Sequence, residues 1–131
     1  MTALKAARLT ETYLELRDDG GVRPIPLTPD FWPDLIAGRT RLEGRLAMAA
    51  RLSEDMSHWE RHPAGDEILL LLSGRALLVL EGQADASDEE IEMGAGETCV
   101  VPRGRWHRVK VIEPGDMVFM TPGEGTSHKA L

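Results

Sequence analysis

From residue 67 onward the chain alternates short apolar runs with glycine and proline. "EILLLLSG", "RALLVLEG", "ETCVVPRG", "HRVKVIEPG" and "DMVFMTPGEG" follow one another, each closed by Gly or Pro. Short strands separated by turn signals at this spacing predict an all-β sandwich or barrel. "EILLLL" is apolar at successive positions, so it predicts a strand covered on both faces. Upstream, "YLELRDDGGVRPIPL" predicts two short extended runs around a turn at Asp18-Asp19-Gly20-Gly21. Pro24 and Pro26 put the second run at a sheet edge or outside the sheet, because proline cannot donate to a ladder. "TPDFWPDLIAGR" predicts a short helix with Thr28 as N-cap, Pro29 at the first helical position and Gly38 as the stop.

The stretch between helix and strands fits two periods. Leu42, Leu46, Ala49, Leu52, Met56 and Trp59 recur every three or four residues, a helical stripe. Leu46, Met48, Ala50 and Leu52 also alternate with Ala47, Ala49 and Arg51, as a strand requires. Chemistry depends on the choice, because "SHWERHPAGDE" (57–67) follows at once. On a helix, His58 and His62 stand one turn apart and can share a metal. Against that, Trp59 occupies the place of the Glu in helical zinc-protease motifs, and Pro63 biases His62 away from helical dihedrals. On a strand, Met56, His58, Glu60 and His62 share one face, and Ser57, Trp59 and Arg61 the other. Glu60 and His62 are then roughly 7 Å apart at Cα and His58 roughly 13 Å from His62, at ~3.3 Å per residue. That reading nominates Glu60 with His62 as a ligand pair and leaves His58 lining a pocket.

Composition narrows the function classes. The 131 residues predict a single domain, and the net charge of −7 argues against a nucleic-acid surface. "DASDEEIE" (85–92) is expected as a solvated acidic loop, since it lacks the Asp/Gly spacing of a calcium loop. No apolar segment resembles a signal peptide or a membrane span. The single cysteine, Cys99, reads as a structural thiol, and a soluble cytoplasmic protein is the expectation. Trp59 and Trp106 are expected to pack away from the ligand face, and Met48, Met56, Met117 and Met120 to fill core. Arg103 and Arg105 are expected as exposed turn charges. His128 falls in a polar tail and receives no role.

Two segments carry a family resemblance. "ERHPAGDEILLLLSG" resembles the first motif of the cupins, with His62, Glu67 and Gly74 in register. "GETCVVPRGRWH" resembles the second, through Gly96, Pro102, Gly104 and His107. Glu60 stands where the family places its first histidine, and Val111 where the second motif ends in Asn. The resemblance implies an antiparallel jelly-roll-like β-barrel with the histidine segment as a strand. The expected organisation is a hairpin and short helix over 1–40, a barrel over about 41–122 and a polar tail over 123–131.

The resemblance also implies a metal held by Glu60, His62, Glu67 and His107. Two carboxylates among the ligands favour iron or manganese, with zinc or nickel as softer alternatives. His58 is then a candidate general acid or base. The implied function is a metal-dependent enzyme of dioxygenase, isomerase or lyase type acting on a small organic molecule. A non-catalytic small-molecule-binding or sensing protein is the alternative. The outward face of "EILLLL" adds the expectation of a homodimer.

Overall fold

The computed structural model describes residues 5–131 and consists of eleven strands and one short helix. The expected hairpin is present as β1 (Thr12–Leu16) and β2 (Val22–Pro26), and β2 is an edge strand, as its prolines require. Helix α1 (Phe31–Ile36) starts later than expected: Asp30 is its N-cap, not Thr28, and Pro33 sits in its first turn. Gly38 leaves the helix at φ +76°, the left-handed conformation that makes glycine an effective stop.

The ambiguous middle stretch is extended. It forms β3 (Arg45–Leu52) and β4 (His58–Arg61). Beyond them come β5 (Glu67–Leu71), β6 (Arg75–Leu80), β7 (Glu89–Gly94), β8 (Thr98–Val101), β9 (His107–Glu113), β10 (Gly115–Pro122) and β11 (Ser127–Ala130). What settles β3 is long-range pairing. All eight of its residues face β10, from Arg45↔Pro122 to Leu52↔Gly115, and its first three also face β1. A helix there would leave both neighbouring ladders without partners.

Two expectations are corrected. Residues 89–92 of the acidic segment belong to β7, which pairs with β6 at the outer edge of its sheet. An edge strand with one free side tolerates exposed glutamates, and they discourage pairing with other chains. The segment 123–131 is also more than a tail, because β11 pairs with β4 from Ser127↔Arg61 to Ala130↔His58.

The strands form two antiparallel sheets, ordered β2-β1-β3-β10-β5-β8 and β11-β4-β9-β6-β7. Leu69, Leu71, Val101 and Met117 of the first pack against Ala76, Leu78, Leu80, Met93 and Val109 of the second, making one apolar core. On β5, Glu67, Leu69 and Leu71 point inward and are buried, while Ile68 and Leu70 on the outer face are half-buried. A smaller cluster of Tyr13, Phe31 and Leu46 docks α1 on the first sheet. There the Phe31 ring meets Tyr13 edge-on at 5.5 Å between centroids.

Tight backbone packing occurs where the β5–β6 turn meets the β9–β10 turn. Gly74 has φ +78°, and a Cβ added there would lie 2.5 Å from the carbonyl oxygens of Glu113 and Pro114. Gly96 shares the positive φ, at +85°, but has open space around it. Gly96→Ala is therefore expected to cost about 1 kcal/mol of backbone strain alone. Gly74→Ala adds a clash with backbone and is expected to cost several times more. Urea denaturation of both variants checks the ordering, and equal losses would contradict the packing described.

Candidate metal centre

Four sequence-nominated side chains come from three strands at one end of the barrel. Glu60 lies on β4 and His62 just beyond it, Glu67 opens β5, and His107 opens β9. The β4–β9 register sets Glu60 opposite His107. Alternation along β4 turns Glu60 and His62 to the same side. His107 is brought in by the turn before it, where Gly104 adopts φ +75° and its N–H donates to the His62 carbonyl at 3.0 Å. Arg103 closes the two motifs together, its N–H donating to Asp66 Oδ1 and its Nε to the Pro63 carbonyl.

His62, Glu67 and His107 are all buried, and one ligand atom from each lies within 4.8 Å of the others. His107 Nε2 stands 3.1 Å from Glu67 Oε1, and His62 Nε2 stands 3.2 Å from Glu67 Oε2. Glu60 Oε1 lies 3.1 Å from His62 Nε2. Despite these short distances, His62 Nε2 is buried without a hydrogen-bond partner of acceptable direction.

The other ring nitrogens explain how these atoms are aimed. His107 Nδ1 donates to the Arg105 carbonyl at 3.1 Å, because a carbonyl can only accept. Thr126 Oγ1 donates its proton to the Gly123 carbonyl, so at 2.9 Å it accepts from His62 Nδ1. Both imidazoles thus hold a proton on Nδ1 and aim Nε2 at the same point, the arrangement typical of metal-ligating histidines. Thr121 Oγ1 donates to Glu67 Oε2 at 2.6 Å and orients the carboxylate. The residues present fit a divalent ion.

Without an ion the same groups form a charged network. Burial lowers the proton affinity of His62, but the Glu60 and Glu67 carboxylates outweigh it and push its pKa up to about 9. Burial would raise the Glu67 pKa, and the His107 and His62 contacts instead hold it down to about 2. Glu60 is likewise opposed by burial and lowered overall, chiefly by His62.

Glu60 also reaches outward. Its Oε2 lies 3.6 Å from His128 Nε2, and His58 packs edge-on against His128 with ring centroids 4.8 Å apart. His128, given no role by the sequence reading, is thereby drawn into the site together with Thr121 and Thr126. A cavity of about 590 Å³ opens beside this rim. Trp32, Leu35 and Ile36 of α1 and Met48 of β3 give it an apolar wall. Glu60, Thr121 and His128 mark its polar end. Met48 is therefore pocket wall as well as packing. His58 is not among the residues lining the cavity.

The remaining nominated residues take structural places. Trp106 is flanked by Arg61 and Lys129, each 4.7 Å from its ring centroid, and Arg108 stands 5.9 Å from Trp59. Arg105 is not an exposed turn charge, because its side chain is only 17% exposed and donates to the Glu81 carbonyl. Burial, with the Glu97 charge, raises the pKa of the unpaired Cys99 thiol and favours its protonated form.

The cupin domain family matches residues 52–123. No curated protein matches the chain. Among solved structures, a cupin-2 domain protein from Shewanella frigidimarina aligns at 19% identity and TM-score 0.51, over 63% of this chain and 74% of that one. Hydroquinone 1,2-dioxygenase from Sphingomonas, solved with 4-hydroxybenzoate bound, aligns at 18% identity and TM-score 0.51, over 62% of this chain and 60% of its own. Oxalate decarboxylase from Bacillus subtilis, described as having Mn(II) centres, aligns at 20% identity and TM-score 0.54. That alignment covers 67% of this chain and only 24% of the decarboxylase. At these identities the likeness bears on fold alone.

The raised His62 pKa fixes a sign for the pH dependence of the metal-free protein. The folded state keeps a proton that the unfolded chain releases above its ordinary pKa of 6.5. This contribution to stability is complete below pH 6.5 and is lost as the pH rises through about 9. Chelator-treated protein is expected to lose several degrees of melting temperature across that window, and His62→Gln to lose far less. A flat profile in the unsubstituted protein would contradict the network.

Proposed function

Taking as premise that the chain belongs to the cupin domain family, we propose that it is a metal-dependent enzyme acting on a small organic molecule held in the barrel. The ion is iron or manganese, bound by His62, Glu67 and His107 with Glu60 as a fourth ligand. The observation that carries this reading is the pair of Nε2 atoms, of His62 and His107, converging on the Glu67 carboxylate. Two imidazoles and one carboxylate with open positions suit ferrous iron, and the second carboxylate strengthens the preference for a hard ion. Such an ion supplies Lewis acidity or redox chemistry to a bound oxygen-bearing group.

The chain's own residues supply the rest. The apolar wall of Trp32, Leu35, Ile36 and Met48 receives the body of the substrate. Thr121 and His128, at the polar end, hydrogen-bond its head. A cavity near 590 Å³ suits a single-ring or short-chain acid. His128 and not His58 lies on the cavity wall, so an acid–base role for His58 runs through His128. Dioxygenase, isomerase and lyase chemistry all fit this arrangement.

One observation favours a second reading, a non-catalytic small-molecule-binding protein. His62 Nε2 already lies 3.1 Å from Glu60 and 3.2 Å from Glu67, so a protonated His62 offsets part of the carboxylate charge without an ion. Metal content separates the two. Tag-free protein is expected to carry iron or manganese, and a bound ion at a hundredfold excess over Kd to add roughly 2.7 kcal/mol of stability. His62→Ala and His107→Ala are expected to abolish both effects. Glu60→His is expected to shift preference toward zinc and nickel. Protein that takes up neither iron nor manganese would leave the binding-protein reading in its place.

A homodimer belongs to the same proposal. Val100 is 56% exposed opposite Ile68 on the outer face of β5 and β8, and Leu72 is 52% exposed nearby. Burying that apolar strip across a two-fold axis is favourable. Sedimentation at micromolar concentration is expected to give the mass of two chains, and a monomer there would refute it.

A further inference from the structure

We propose a second metal site at the rim of the cavity, formed by His58, Glu60 and His128 and suited to zinc, nickel or copper. It goes beyond the buried centre and needs no particular chemistry there. The three side chains are assembled by strand pairing. His58 and Glu60 sit two residues apart on β4, on one face of the sheet, and β11 sets His128 directly opposite Glu60. One ligand atom from each lies within 4.8 Å of the other two. The imidazoles meet edge-on, 4.8 Å between centroids at 73°, which leaves ring nitrogens of both free to turn toward the same carboxylate.

Packing does not account for this cluster. The His128 side chain is 53% exposed, so its ring is not core. Among the described residues, the ion-pair partners of Glu60 are His62 and His128, with no lysine or arginine. The carboxylate is divided between two sets of imidazoles. Oε1 lies 3.1 Å from the buried His62, and Oε2 lies 3.6 Å from the rim His128. A carboxylate so placed can bridge two ions. Two imidazoles for one carboxylate make the rim softer than the buried centre, hence the preference for zinc, nickel or copper. Electrostatics ranks the two sites. With only Glu60 and Glu67 to balance two divalent ions, the second ion meets net repulsion and binds more weakly.

The test is a zinc titration of tag-free full-length protein, read by calorimetry and native mass spectrometry. Two ions per chain are expected, the second at least tenfold weaker. His58 and His128 ring signals in NMR are expected to move with that second equivalent. H128A is expected to remove one ion and H107A to spare the rim ion. H58A repeats the H128A test should either variant fold poorly, with circular dichroism reporting the fold. One ion per chain, lost in H128A and kept in H107A, would support the rim site while sinking the buried one. A zinc stoichiometry unchanged by both H128A and H58A, or no zinc binding at all, overturns the proposal.

Discussion

Burying two imidazoles against a carboxylate is the constraint around which this end of the barrel is organised. His62, Glu67 and His107 are each no more than 3% exposed. Polar groups so placed are costly unless every atom that can pair does so. The chain meets most of this by drawing one partner from each surrounding segment and leaves His62 Nε2 aimed at the shared point. Thr121 comes from β10, Thr126 from the turn before β11, and the Arg105 carbonyl from the turn before β9. The apolar core beneath, centred on Leu69, Leu78 and Met117, has no such demands and closes by contact alone. One end of the barrel is thus specified by direction and the rest by volume.

Glu60 marks where this chain leaves the pattern of its family. A histidine of ordinary pKa at its position is mainly neutral at neutral pH, whereas the carboxylate brings a negative charge and two acceptor oxygens. The consequences run in two directions. Inward, it raises the proton affinity of His62. Outward, it gives His128 and His58 something to face, which a single imidazole already committed inward would not.

What was legible in the sequence follows a physical division. Strands β5, β6, β8, β9 and β10 could be read because glycine and proline punctuate them and both faces of β5 are apolar. The stretch from Leu42 to Trp59 could not be assigned by period, since its small and unbranched residues satisfy both. Pairing with β10 decides it, and that information lies far along the chain. The same holds for the site. His62, Glu67 and His107 lie in recognisable local motifs. His128 and Thr126 acquire their places only when β11 returns to β4, an event no local pattern announces. The glutamates of β7 misled in the opposite sense, because charge lowers strand propensity while an outer edge accommodates it.

Helix α1 is held to the body by Tyr13 and Phe31, yet Trp32, Leu35 and Ile36 furnish the cavity wall. Phe31 and the wall residues share six positions of chain that contribute nothing to the strand ladders. Trp32 also packs edge-on against Phe31 and Tyr13, at 5.0 and 6.0 Å between centroids, whereas the exposed Ile36 can be exchanged without touching that anchor. The part of the cavity wall that Ile36 supplies is thus separate from the strand pairing that brings His62, Glu67 and His107 together.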